Sequence, residues 1–264
     1  MKNSNQLNLP FKALLLLCFV ALSFRSYGAP KQEYYEIRIY HVYGGQEGKV
    51  DAFLKDVYLP ALHRAGISKV GVFKPVETDT ESGKLIFMFV PFKTSEQYIM
   101  LAEVLGKDKV FQETGKSFLD APFNEPPYIR HESIFLKAFL NMPQPYFPEY
   151  TNPASERIYE LRSYESATEA KATKKVEMFN QGGEIDIFTN LKFNAVFYGE
   201  VIAGSTKPNL MYMTTFTDMK SREEHWKAFG STSEWKRLSG LEEYKNTVSS
   251  ITRYLLHPTD YSDF

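Results

Sequence analysis

A carboxylate, a guanidinium and a phenol recur at spacing two in two places, as Glu36, Arg38 and Tyr40 and as Glu160, Arg162 and Tyr164. Each set lies in a hexapeptide, Tyr35-Glu36-Ile37-Arg38-Ile39-Tyr40 and Tyr159-Glu160-Leu161-Arg162-Ser163-Tyr164, and the two copies are offset by 124 residues. Residues two apart share a face of a β-strand, so each set is a polar row opposite an apolar row. Three uses fit such a row. It can be an ion pair or cross-strand ladder, or it can orient the polar end of an otherwise apolar ligand. It can also transfer a proton, with Tyr40 or Tyr164 as donor and a carboxylate as base, although the adjacent arginine opposes the raised carboxyl pKa this requires.

Little else in the sequence competes as a site. His41, His63, His131, His225 and His257 each lack a second ligand at metal spacing, so no metal is expected. No Gly-rich phosphate loop, nucleophile elbow or cysteine nucleophile occurs. No cofactor is expected, and no motif marks the chain as an enzyme.

The elements that must position these rows repeat with the same offset. Val72-Phe73 falls on Val196-Phe197, and Phe92 falls on Phe216. Each half reads as strand, helix, strand, strand, helix, strand, the order of a ferredoxin-like unit with both helices on one face of a four-stranded sheet. In the first half a strand over 34–42 precedes a helix over 47–65, kinked or interrupted at Pro60 and stopped by Gly66. Strands at 69–76 and 85–90 follow, the second apolar on both faces and therefore central. Thr94 and Gln97 form a capping box for the next helix, a further helical stretch spans 107–120, and a last strand covers 129–139. The second half repeats this with strands near 156–165, 192–202, 209–217 and 247–256 and helices near 168–181 and 219–229. Asp218 is its candidate N-cap, and Ser231 and Glu234 open a further short turn. Prolines 143, 145, 148 and 153 mark a linker over 141–153. The expected fold is α+β: two tandem ferredoxin-like units, residues 29–140 and 154–264. The apolar row Tyr35, Ile37, Ile39 is expected to meet the helices, leaving Glu36, Arg38 and Tyr40 on the bare sheet face. Two bare faces can be hidden by pressing together or by curving into one barrel whose interior becomes a pocket.

Residues 1–28 read as a secretory signal: Lys2 and Lys12 precede an apolar run from Ala13 to Phe24, with Ser26 and Gly28 as small residues near the cut. The run is shorter than the roughly 20 residues needed to span a bilayer. Export to the periplasm or beyond is expected, with no membrane association afterwards. Without Lys2, Lys12, Arg25 and the sole cysteine, Cys18, there remain 28 basic and 32 acidic side chains and no disulfide chemistry. A mildly acidic chain without a basic block is not expected to bind nucleic acid.

The Tyr-Glu-[Ile/Leu]-Arg-x-Tyr strand, the duplicated unit, and Trp226-Lys227-Ala228-Phe229 followed by Glu234-Trp235 resemble the NIPSNAP family, from about residue 33 to 257. Trp226, Phe229 and Trp235 carry its W-x-x-F…E-W pattern, whereas Tyr98 and Leu101 stand at the Trp and Phe positions in the first half. The resemblance implies a dimeric α/β-barrel fold. That superfamily includes cofactor-independent monooxygenases, haem-binding enzymes and small-molecule or scaffold proteins, and no catalytic set carries over. The expected function is binding of a small apolar ligand in a barrel pocket, anchored by Glu36, Arg38 and Tyr40 or by Glu160, Arg162 and Tyr164. The alternatives are a cofactor-independent monooxygenase or isomerase, and a non-catalytic structural or interaction protein. Tandem halves allow either a monomer with an internal pseudo-dimer or a homodimer.

Overall fold

The computed structural model describes residues 31–204 and 206–264, so the export signal expected over 1–28 lies outside the described residues. Eight antiparallel strands close into a barrel. The first half supplies β1 (Tyr34–His41), β2 (Gly71–Pro75), β3 (Leu85–Phe92) and β4 (Arg130–Ala138), and the second supplies β5 (Ile158–Glu165), β6 (Ala195–Ala203), β7 (Asn209–Phe216) and β8 (Ser250–Pro258). Within each half the spatial order is fourth, first, third, second strand. The halves are joined by two seams, β2 on β8 and β4 on β6. The all-apolar strand β3 is central, between β1 and β2.

Helices cover the outside. The first half carries α1 (Glu47–Phe53), a π-helical turn (Leu54–Tyr58), α2 (Leu59–Arg64), α3 (Ser95–Lys107), α4 (Lys109–Thr114) and α5 (Lys116–Leu119). The second carries α6 (Glu169–Asn180), α7 (Glu184–Asn190), α8 (Met219–Ser231) and α9 (Ser233–Gly240). The helix expected over 47–65 is interrupted, as its proline foreshadows, by the π turn at Leu54–Tyr58 immediately ahead of Pro60, which lies in the first turn of α2. Thr94 caps α3 through the Gln97 N–H at 3.2 Å, and Asp218 caps α8 through the Ser221 N–H at 2.7 Å. The turn expected from Ser231 is a full helix, α9, capped by Thr232. The proline-rich segment 141–153 is tied to both halves, with the Asn141 N–H on Asn180 Oδ1 at 3.0 Å, the Tyr146 N–H on the Val196 carbonyl at 2.9 Å and the Glu33 N–H on the Pro143 carbonyl at 2.8 Å.

The two rows of the hexapeptides face opposite to expectation. Tyr35, Ile37, Ile39, Tyr159 and Leu161 point into the barrel, where they pack with Phe73, Phe87, Phe89, Phe197, Met211 and Met213. Glu36, Arg38, Tyr40 and their second-half counterparts lie under the helices, Tyr40 in the first helix-covered core and Tyr164 in the second. The reason is the supply of partners. A closed eight-stranded barrel is just wide enough for side chains to fill, and the hydroxyls of Tyr35 and Tyr159 find no hydrogen-bond partner there among the described residues. Helices, by contrast, can bring arginine, tyrosine and tryptophan onto a buried carboxylate. The interior is therefore a shared apolar core, with Phe89 stacked on Phe197 across the two halves at 5.0 Å between ring centroids.

One core built by both halves predicts one unfolding transition. Phe89→Ala should lower stability by about 3–5 kcal/mol and shift a single cooperative denaturant transition; two separable transitions would mean the halves fold independently.

Candidate functional site

Between the sheet and the helices of the first half lies a cleft of about 590 Å³. Its floor is Glu36, Arg38, Tyr40, His131 and Ser133, and its walls are Phe53 and Tyr58, Tyr98 and Ala102 of α3, Phe111, Phe118 and Tyr128. Phe53 and Phe118 are parallel at 3.8 Å between centroids, which gives one side a flat aromatic wall. The volume lies in the range of small-molecule sites.

Glu36 is fully buried and neutralised locally. Arg38 donates to it from Nε at 3.0 Å and Nη2 at 3.3 Å, and Ser133 Oγ donates at 2.6 Å. Arg38 Nη1 donates to the Tyr58 hydroxyl at 2.7 Å, so the π turn aims that phenol at the site. Burial pushes the Tyr40 hydroxyl pKa up and keeps it protonated. His131 lies across the β1–β4 ladder from Tyr40, with ring centroids 5.7 Å apart. Partial burial and the Arg38 charge hold the His131 pKa below the usual histidine range, so it is neutral at neutral pH.

The second half holds the same floor in a different state. Glu160 accepts from Arg162 Nε at 2.7 Å, from Arg222 Nε at 2.7 Å and Nη2 at 3.0 Å, and from Trp226 Nε1 at 2.7 Å. Burial raises its pKa, but the Arg222, Arg162 and Trp226 donors outweigh that and hold it below the ordinary carboxylate range. Such a carboxylate is a poor base. The Arg162 guanidinium stacks on Trp226 at 3.8 Å from the ring centroid. Tyr164 accepts from Tyr212 at 2.7 Å, and Arg162 Nη1 donates to it at 3.2 Å. Beside it Lys175 is paired with Glu184 at 2.7 Å and faces the Phe179 ring at 4.7 Å and the Trp235 ring at 5.6 Å. Trp226, Phe229 and Trp235 thus converge on this packed layer, with Phe229 and Trp235 4.5 Å apart.

The difference between the halves traces to α3 against α8. The N-caps Thr94 and Asp218 and the strand ends Phe92 and Phe216 keep the 124-residue offset, so Tyr98 corresponds to Arg222, Ala102 to Trp226 and Leu105 to Phe229. Tyr98 therefore does not stand in for Trp226, as similarity of residue type suggested; it lies one helical turn earlier. Its hydroxyl meets Ser133 Oγ at 3.1 Å, which in turn serves Glu36. Ala102 leaves open the space that Trp226 fills, and the cleft is that space. His131 has no counterpart either, because Ile251 sits opposite Tyr164 in the β5–β8 ladder.

Each polar row thus stays together, the first lining a cleft and the second embedded in a network. Sequence reasoning passed over Tyr58, Ala102, Ser133 and Arg222, and weighed His131 only as a metal ligand. Arg222 carried a signal, lying four residues before Trp226 on the same helix face. His131 carried none until the strand register was known. Among the described residues no group of His, Cys, Asp or Glu could hold a metal ion.

Removing the Glu160 charge strands two arginines, whereas removing that of Glu36 leaves only Arg38. Glu160→Gln is expected to destabilise by about 3–5 kcal/mol, and Glu36→Gln by less. A lowered folded-state pKa gives Glu160 a contribution that is present above the unfolded value of about 4.3 and lost as pH falls through the folded one. Acid denaturation should therefore be shallower in Glu160→Gln, read by chemical denaturation from pH 2 to pH 7; an unchanged slope would contradict the network.

The NIPSNAP family model matches residues 159–263. No curated protein matches the sequence. Among solved structures, the chain is similar to a candidate monooxygenase from Lactobacillus acidophilus (TM-score 0.54, 10% identity, covering 86% of this chain and 94% of that one). It is similar to another from Fusobacterium nucleatum (TM-score 0.53, 10% identity, covering 86% and 93%). An anthrone oxidase-like protein aligns with TM-score 0.51 and 8% identity, covering 88% and 93%. At such identities these likenesses establish a shared mixed α/β-barrel fold and nothing further. The Tyr159 strand, the Arg222–Trp226 face and the Phe229–Trp235 contact all lie in the matched segment, and residues 159–263 of this chain are a NIPSNAP-family domain.

Proposed function

We propose that this chain is an exported binding protein, two ferredoxin-like units fused into one barrel, that holds a small, largely apolar molecule in the cleft of its first half. The strand order repeated in each half supports the description as paired units. The observation that carries the function is the replacement of Trp226 by Ala102 at the equivalent position, which leaves an aromatic-walled space above a satisfied polar floor. Tyr40 and His131 anchor the polar end of the ligand, with Arg38 held by Glu36 and Tyr58, and the Glu160, Arg162 and Tyr164 set holds the second half together. The barrel interior is not the pocket, because aromatic side chains from both halves fill it.

A catalytic role, as a cofactor-independent monooxygenase or isomerase, draws support from a neutral His131 beside Arg38, a group able to accept a proton. It ranks second because the carboxylates first considered as bases are engaged, Glu36 by Arg38 and Ser133 and Glu160 by four donors.

The test is Ala102→Trp, which rebuilds the second half's packing in the first. N-phenyl-1-naphthylamine fluorescence should report about one site per chain in the unaltered protein and at least about tenfold weaker binding in the variant, with thermal unfolding preserved. Equal binding by both proteins would contradict the assignment.

A further inference from the structure

The charge count of the cleft specifies its ligand more narrowly. Among the described residues that line it, Glu36 and Arg38 carry the formal charges, and they are paired with each other at 3.0 Å. The second half brings a second arginine, Arg222, to its carboxylate. The first half has the uncharged Tyr98 at that position, so its floor carries no net charge. Arg38 is further occupied by the Tyr58 hydroxyl. An anion entering the cleft would lose its hydration and find the only lining guanidinium already committed to a carboxylate, which is an unfavourable exchange. What the cleft does offer is aromatic faces, phenol hydroxyls and an imidazole, suited to one neutral hydrogen-bonding group on a flat apolar body.

We propose that the first-half cleft selects an uncharged, flat ring compound bearing a hydroxyl or carbonyl group, and discriminates against the corresponding carboxylate. The inference rests on the cleft being the binding site, as argued above. It also assigns a specificity role to His131. The ionisable groups facing that ring are Arg38, Glu36 and Tyr40 on β1 and Tyr128 just before β4, with Tyr58 and Tyr98 across the cleft, while α4 and α5 present only Phe111, Gln112, Phe118 and Leu119. As pH falls through its lowered pKa His131 gains a proton, and the floor changes from neutral to singly cationic. Discrimination against an anion should then relax.

The experiment compares 2-naphthol with 2-naphthoate, similar in shape and different in charge, by titration of the full chain at pH 7.5. The expected result is naphthol binding at least about tenfold more tightly, with Glu36→Gln shifting the ratio toward naphthoate by a similar factor because Arg38 is left unpaired. As a readout that does not depend on that variant folding, naphthoate affinity in the unaltered protein should rise as pH falls from 7 to 5, and His131→Asn should abolish the rise. Naphthoate binding as tightly as naphthol at pH 7.5, or a pH response that survives His131→Asn, would overturn the selectivity while leaving cleft binding intact. Failure of both probes to bind, or binding undiminished by Ala102→Trp, would overturn the cleft assignment itself.

Discussion

A carboxylate buried beneath a helix layer must be neutralised, and in this protein the way it is neutralised decides whether the space above each polar row is filled or open. Glu36 and Glu160 are both wholly inaccessible. A lone buried charge costs several kcal/mol, so each glutamate dictates what the helix above it must carry. In the second half α8 answers with Arg222 and Trp226, two side chains that reach down and fill the layer. In the first half a neighbouring strand answers with Ser133 and α3 contributes only Tyr98, so the helix face beyond it is free to be small. Ala102 uses that freedom.

The barrel is the precondition for this division of labour. By enclosing Tyr35, Ile37, Ile39, Tyr159 and Leu161 in one dry core, it places every charged hexapeptide residue on the helix side. Each helix layer rests mainly on its own four strands, with the C-terminal tail reaching across to the first, where Tyr261 donates to Asp51 of α1. A duplicated unit can then diverge in one layer without disturbing the other. The second half keeps a network of arginines, tryptophans and the Lys175–Glu184 pair, and the first keeps the bare essentials of that network with room above it.

Much of the architecture was legible in the residues. The 124-residue offset, the capping side chains of Thr94 and Asp218, and the doubly apolar run of β3 all match elements of the structure. Alternation identifies two faces of a strand but not which one meets helices, since a barrel interior can be drier than a helix-covered face; the polar rows were therefore placed on the wrong side. Helix α7 was missed, although Gly182-Gly183 followed by Glu184 and Asp186 supplies a break and an acidic first turn. Matching Tyr98 to Trp226 by residue type slipped one helical turn; matching by N-cap would have exposed Ala102 as the gap. His131 could not be found without the register that sets it opposite Tyr40.

The central claim is that the space above the first polar row is open and the equivalent space above the second is filled by Trp226. Native mass spectrometry of the protein purified from its own host tests it most directly, by the number of small molecules retained per chain and their release on denaturation. One retained molecule per chain, neutral and ring-containing, is the predicted result. Two per chain, or a molecule that remains when Trp replaces Ala102, would contradict it.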